Sequence, residues 1–460
     1  MRVSEATGAP RWHGGSAPLG AARLVSYRLA RIYPFQPYRY AEKAGPLGNL
    51  VTQPYDKISA AMRNRYLALS PYNLVRVILG ERRPSDSAAD NVYTRAEGHL
   101  TEWISSGILA RDREPGVFPY FQEFTAPDTG ARLLRKGFIA LGAVEDYSAG
   151  VVHRHEQTLS GPKKDRLELL RATHSHFGQL FMLYPDPAGA VDALLDEAAG
   201  AAPLAEVEDE HGAIHRIWRS ADAASIQRLM GDKKLLIADG HHRYESALVY
   251  QREQAALNPN AGPDAAFNFV MMELIDFEDP GLLILPPHRL LRGLNVSRLA
   301  ELKSALSAFF EMETLPYKGG ETWNKLDKWQ NEDWKRLVLF GLDGDNFLLL
   351  TLKDFESAAK FMPNFHTDIY KKLDVSMVDH IILEEMLGVK HEGDAGIAFN
   401  YDREDSVKKV QAGEFQLAFI IKPVRPETIK AISDASDRMP RKSTYFYPKL
   451  PSGLVVNRLV

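Results

Sequence analysis

Apolar residues recur along this chain at helical and strand spacings, and the two alternate. Ala89, Val92, Ala96, Leu100 and Trp103 fall three or four apart and predict an amphipathic helix over residues 88–104, with Gly107 as its stop. Ser59 stands where it can cap a helix over 60–69, after a Gln53-Pro54 pair biased to extended backbone. The run Leu74-Val75-Arg76-Val77-Ile78-Leu79 alternates weakly and reads as a strand. Residues 117–124 and 132–141 read as paired strands around the turn at Pro127–Gly130. Pro162 suits the first turn of a helix. A strand over 179–184, a helix over 188–198, two short strands flanking His211-Gly212 and a helix over 223–230 follow. Then come a strand over 235–238 and a helix over 244–256. Residues 267–275 are almost continuously apolar, as in a strand covered on both faces, and 282–285 form another buried strand. Beyond Arg292-Gly293 the pattern predicts helices over 296–310, 375–387, 404–411 and 426–436. Strands are expected there over 336–341, 347–352, 396–401 and 415–421. The fold class is therefore α/β of a mixed, α+β kind. The expected division is a flexible extension over 1–31, a first domain over 32–292 and a C-terminal α/β domain over 293–460.

Composition narrows the chemistry. The 460 residues are 45% hydrophobic and 25% charged, an ordinary globular mixture with a formal net charge of −4. That balance disfavours non-specific binding to nucleic acid or acidic membranes. There is no cysteine, which excludes disulfides, thiolate catalysis and Cys-ligated metal centres. No apolar run approaches the roughly 20 residues of a membrane span, and no secretory signal pattern is present. A cytoplasmic location is the expectation, with a homo-oligomer left open.

One stretch concentrates reactive groups. Leu235-Leu236-Ile237-Ala238 runs into Asp239-Gly240, then into His241-His242-Arg243-Tyr244-Glu245. A strand that feeds a helix through Asp-Gly gathers free N–H groups and the positive helix end at one point, which favours an anion. His241, His242 and Arg243 add donors, and arginine can hold a phosphate through two parallel bonds. The plain alternative is an Asp239 N-cap followed by a polar helix start.

A second cluster reads His153-Arg154-His155-Glu156-Gln157-Thr158, followed by Lys163, Lys164 and Arg166. Glu156 among cations fits a general base or a magnesium ligand, while the three cations fit a clamp on phosphate or a substrate carboxylate. A solvated charged loop is the alternative. Asp56 and Asn73 each follow a Pro-Tyr pair; such residues make Asx turns or, with His155, substrate contacts. His153, His155, His241 and His242 could together bind a metal, although no HExxH spacing supports it. Lys442-Ser443-Thr444 lacks the glycines of a P-loop, and Tyr445-Phe446-Tyr447-Pro448-Lys449 reads as a tail docked by aromatics.

Several motifs together carry a resemblance. They are Pro-Tyr-Asp-Lys-Ile-Ser (54–59), Pro-Tyr-Asn-Leu-Val-Arg (71–76), Gly-Phe-Ile-Ala (137–140), His-Glu-Gln-Thr (155–158) and Pro-Lys-Lys-Asp-Arg-Leu (162–167). With them stand Ala-Asp-Gly-His-His-Arg-Tyr-Glu (238–245), Leu-Pro-Pro-His-Arg (285–289) and Met-Pro-Arg-Lys-Ser-Thr-Tyr-Phe-Tyr-Pro-Lys-Leu (439–450). In this order they resemble a prokaryotic family known as domain of unknown function 1015, from about Ile32 to the end. The Asp-Gly-His-His-Arg turn is also similar to the signature turn of the ParB/sulfiredoxin superfamily, which includes free-serine kinases. That resemblance implies a ParB/sulfiredoxin-like first domain with a mixed sheet, and phosphate or a magnesium nucleotide bound by Asp239 through Arg243. It matches no position to the serine kinases' catalytic glutamate; Glu156 is the choice from chemistry alone. The expected activity is nucleotide-dependent phosphoryl transfer to a small hydroxylated metabolite, with ATP or ADP and Mg2+ as cofactor. Asp239, His241, His242 and Glu156 would be catalytic, and Gly240, Arg243, Lys163, Lys164 and Arg166 would hold the nucleotide. A nucleotide sensor without turnover and a metal-dependent hydrolase are the alternatives.

Overall fold

The computed structural model describes residues 30–156, 160–389 and 396–459. Most of the extension read over 1–31, and Gln157 and Thr158 of the His-Glu-Gln-Thr motif, lie outside these residues.

The chain builds the mixed α/β fold that its patterning predicts, around two large sheets. The first has nine strands. Its spatial order runs Val152–Arg154, Leu235–Asp239, Leu180–Tyr184, Phe269–Asp276, Arg132–Ala143, Phe118–Thr125, Ile214–Ile217 and Ala205–Glu208, with Ile32–Tyr33 paired on Arg132–Ala143. Leu235–Asp239 runs parallel to Val152–Arg154, and Phe269–Asp276 parallel to Leu180–Tyr184; the other pairs are antiparallel. All eight residues of Phe269–Asp276 are buried, which explains its unbroken apolar run. The second sheet has six strands, all antiparallel, in the order Phe310–Pro316, Asn346–Leu352, Arg336–Asp343, Leu417–Ile420, His288–Leu291 and Ile397–Asn400.

The end of the chain returns to the first sheet's side of the molecule. Tyr445–Tyr447 pairs with Leu283–Leu285, Asn457–Arg458 pairs with Ser175–His176, and Ser452 bridges to Thr52. Phe446 is buried against Phe181 and His155, so aromatic contacts do dock this tail.

Two local readings are corrected. Residues 74–79 form a short helix, Val75–Ile78, not a strand. Leu74, Val75, Val77 and Ile78 are all buried, a helical spacing, and the Asn73 side chain accepts the Val75 N–H at 2.9 Å to start the turn. The helix expected over 375–387 is one α-turn, Asp374–Ser376, that widens into a π-helix over Met377–Met386. A helix over Gly320–Glu332 and a strand over Phe310–Pro316 were absent from the patterning; the helix buries only Thr322, Trp323, Leu326 and Gln330, too sparse an apolar stripe to stand out.

Candidate anion site at the start of a long helix

Strand Leu235–Asp239 and helix His241–Leu257 meet at Gly240, whose φ of +98° is open to glycine. A Cβ there would come within 2.8 Å of Leu180 and 2.9 Å of the Arg243 guanidinium. Gly240, not Asp239, is the N-cap residue, and the helix has no side-chain cap. Its first N–H groups therefore have no intrahelical acceptor. Asp239 ends the strand, accepting the Gly240 N–H at 2.8 Å and the Lys449 ammonium at 2.8 Å. Burial opposes charge on this carboxyl, but Lys449, Arg243 and Lys57 outweigh it and hold Asp239 well below the usual carboxylate range.

Two neutral histidines stand behind the turn. His155 is buried, with Nδ1 2.8 Å from the Ile237 carbonyl and Nε2 3.3 Å from the Thr444 hydroxyl. Since a carbonyl only accepts, Nδ1 carries the proton, and burial pushes the ring down to about 4. His241 packs edge-to-face on it at 4.8 Å and is 6% exposed. Burial, then the neighbouring His155, holds His241 far below its usual value, and its Nε2 is buried without a hydrogen-bond partner among the described residues. His242 is half-buried and lowered by burial, while Glu245, Asp56 and Asp239 pull the other way.

Cations and carboxylates surround this start. Arg243 donates to the Gln179 carbonyl at 2.6 Å and borders a mainly apolar cavity with Tyr55, Arg166, Leu169, Phe177 and Leu180. Arg166 lies 4.0 Å over the Tyr55 ring and bonds Asp165. Glu156 is half-buried; burial raises its pKa, while one oxygen accepts the Lys442 N–H at 3.2 Å. Asp56 is exposed, and its charge acts on His242, Lys57 and Tyr401.

Other expected residues are engaged elsewhere. Asn73 is fully buried, with its amide nitrogen on the Asn49 carbonyl at 2.8 Å and its oxygen on Val75. Both ends of that side chain serve the fold, so the substrate contact expected of it is replaced by the Asx-turn alternative. Lys163 pairs with Glu245 at 3.1 Å, and Arg154 holds the other oxygen of the same carboxylate at 3.1 Å. Lys164 is exposed and makes no ion pair among the described residues. The four-histidine metal reading does not assemble. His153 and His155 turn to the carbonyls of Gly150 and Ile237, and no group of three or more His, Asp or Glu among the described residues is placed to hold a metal.

The sequence reading missed four contributors. The Lys57 and Lys449 ammonium groups each lie 4.5 Å from the centre of the Tyr445 ring, on which Tyr401 stacks at 3.9 Å. Burial, then Lys449, lowers Lys57 to about 8. Lys57 and Lys449 stood inside recognised motifs, Pro-Tyr-Asp-Lys and Tyr-Pro-Lys, but nothing in either motif marks the lysine as facing Asp239.

The sequence matches the family described as "Protein of unknown function (DUF1015)" over residues 32–376. The chain belongs to that family. The match begins at Ile32, where the resemblance was expected to begin, and stops short of the Met439–Leu450 tail motif. No curated protein matches the DUF1015 chain. Among solved structures it is similar to a conserved hypothetical protein from Pyrococcus furiosus, with 13% identity, a TM-score of 0.32, and coverage of 67% of this chain and 93% of that one. It is also similar to a mutant free serine kinase in complex with AMP, with 13% identity, a TM-score of 0.34, and coverage of 66% and 90%. A free serine kinase mutant in complex with ADP gives 12% identity, a TM-score of 0.32, and coverage of 66% and 90%. Among the described residues no helix is long and apolar enough to cross a membrane.

Proposed function

We propose that this DUF1015 protein is a nucleotide-dependent phosphotransferase acting on a small hydroxylated metabolite. The observation that carries the reading is the uncapped start of helix His241–Leu257, where His241 Nε2 is buried without a hydrogen-bond partner among the described residues and the adjoining Asp239 is surrounded by the cations Arg243, Lys57 and Lys449. Such a start binds phosphate oxygens through backbone N–H groups, and the surrounding cations stabilise charge that develops during transfer. Glu156, raised by burial, acts as the base on the acceptor hydroxyl.

Magnesium enters this reading with the nucleotide. It takes one or two carboxylates and fills its other positions with phosphate and water. Asp56, exposed and without an ion pair among the described residues, fits that limited role, and the ion would neutralise phosphate charge.

Calorimetry with ATP, ADP and CTP, with and without Mg2+, tests the first step. Phosphorus NMR of reactions with hydroxylated amino acids and sugars tests the second. Absence of nucleotide binding under every condition refutes the proposal. Binding without turnover supports the sensor alternative, which the Lys442 N–H bond to Glu156 favours because it engages the proposed base within the fold.

A further inference from the structure

The Leu285-Pro286-Pro287-His288-Arg289 motif takes no part in the anion site. Arg289 is fully buried and holds Asp379 through bonds of 3.1 and 3.0 Å, while donating to the Lys442 carbonyl at 3.0 Å. His288 is 2% exposed and lines a different cavity, a cleft of about 600 Å³. The cleft lies between helix Gly320–Glu332, the start of helix Arg403–Gln411 and the turn at Pro127–Thr129. Tyr401 forms its wall toward the anion site.

The local geometry fixes what His288 offers. The backbone N–H of Ile421 donates to its Nδ1 at 3.1 Å, so the lone pair sits on Nδ1 and the neutral ring carries its proton on Nε2. That Nε2–H has no partner among the described residues and is the edge His288 presents to the cleft. Protonation would break the Ile421 bond; burial, then Arg403 and Arg289, pushes the ring down to about 3. His288 is thus a permanent neutral donor with one fixed direction. Beside it, Arg403 gives one nitrogen to Asp327 at 2.6 Å and lies 4.7 Å over the Trp323 ring, which leaves further guanidinium N–H groups for a ligand. Asn324 and Asn331 add neutral amides to the same wall. Asp128, Asp327, Asp402 and Glu404 are the carboxylates on the lining that oppose an anion, Asp327 being paired with Arg403, and Lys422, paired with Asp374 at 3.3 Å, is a second lining cation. Like charge there disfavours a polyphosphate more than a single carboxylate.

We infer that this cleft is a second binding site, for a small hydroxylated monoanion, with its anionic group between Nε2 of His288 and Arg403. Hydroxyl groups of the ligand meet the amides of Asn324 and Asn331. The site does not depend on phosphoryl transfer at the helix His241–Leu257.

Gluconate is a suitable probe, being singly charged, hydroxylated and small enough for the cleft. Protein carrying 15N-histidine is titrated with it, and the His288 Nε2–H signal is expected to shift with saturation. Two variants separate binding from folding. His288→Asn keeps an acceptor near Nδ1 for Ile421 but loses the distal donor; His288→Gln places a donor near Nε2 and gives up that acceptor. The Asn variant is expected to melt close to wild type and to bind gluconate roughly 10- to 100-fold more weakly, the range for losing a hydrogen bond to a charged group. The Gln variant is expected to retain binding despite a lower melting temperature. An unmoved His288 signal at millimolar gluconate overturns the inference, as does equal binding by the two variants. ATP titration of the same variants is expected to match wild type, which keeps this result apart from the fate of the phosphotransferase reading.

Discussion

Lys449 reaches Asp239 across 210 residues of sequence, and replacing it tests whether the C-terminal tail is an electrostatic part of the site. The pair is separated by 2.8 Å, with side-chain exposures of 7% and 28%. At that distance two unit charges attract by about 6 kcal/mol for an effective dielectric of 20. Desolvation of both groups cancels much of this attraction, so removing the pair together costs little. Removing one partner is different, because the other stays buried and charged, at a cost of about 3–5 kcal/mol. Asp239 keeps some contact with water, which favours the lower end. Lys449→Met is therefore expected to destabilise by about 3 kcal/mol, or roughly 6–12 °C in melting temperature for a cooperative unit of 150–250 residues. Asp239→Asn in the same background restores most of the loss, giving a coupling energy of about 2–3 kcal/mol. The pH dependence follows from the sign of the shift. Folded Asp239 sits below its unfolded value of about 3.9, so the stabilisation is present above that pH and is lost as pH falls through the folded value. Below about pH 4 wild type should lose melting temperature more steeply than the double variant. Circular dichroism melts of the four proteins between pH 3 and 7 provide the assay. Additivity of the two substitutions within about 0.5 kcal/mol would refute the reasoning.

Arg243→Ala is expected to weaken ATP binding at least tenfold, about 1.4 kcal/mol, and Arg243→Lys to recover little because one ammonium cannot replace a two-pronged fork; calorimetry checks both, and wild-type affinity in either contradicts the phosphate assignment. Glu156→Gln should reduce phosphoryl transfer by roughly 10²–10⁴-fold while leaving the nucleotide dissociation constant nearly unchanged, as a base acting on the acceptor requires. Lys57 loses its proton near pH 8, so anion affinity is expected to fall between pH 7 and 9, and Lys57→Arg to abolish that decline; a wild-type affinity flat over that range removes Lys57 from the site. Asn73→Ala is expected to cost about 1–3 kcal/mol in urea unfolding, from the orphaned Asn49 carbonyl and Val75 N–H, with no change in nucleotide affinity.

The parts legible in the sequence were those with strong local causes. Leu235–Asp239 followed by Gly240 announced a strand, a turn and a helix, because a buried apolar run and a positive-φ glycine are local facts. Phe269–Asp276 was legible for the same reason. Leu74–Leu79 was misread because a short apolar run fits either period, and the arbiter was one side chain, Asn73, bonding forward to Val75. Glu156 and Asp239 were singled out by their chemistry, and both carboxyls act on the Tyr401 hydroxyl. Lys57 and Lys449 were not, because their role depends on which charge they face, and spacing does not encode that.

The missed residues share a structural logic. Lys57 ends the single helical turn Tyr55–Lys57, Tyr401 follows the strand Ile397–Asn400, and Lys449 stands two residues after the strand Tyr445–Tyr447. Each of these three stands at or just past the end of a short element, where backbone direction changes and a side chain can be aimed without disturbing a sheet or helix interior. Lys57 and Lys449 then share one support, the Tyr445 ring, so two like charges are held close beside Asp239. Their repulsion helps lower Lys57 toward neutrality, and an arriving anion relieves it. The histidines behind the turn are kept neutral by burial, so they do not add to that repulsion. A site built this way gains most from a ligand that brings its own negative charge, because the cations Lys57, Lys442, Lys449 and Arg243 outnumber the carboxylates Asp56, Glu156 and Asp239.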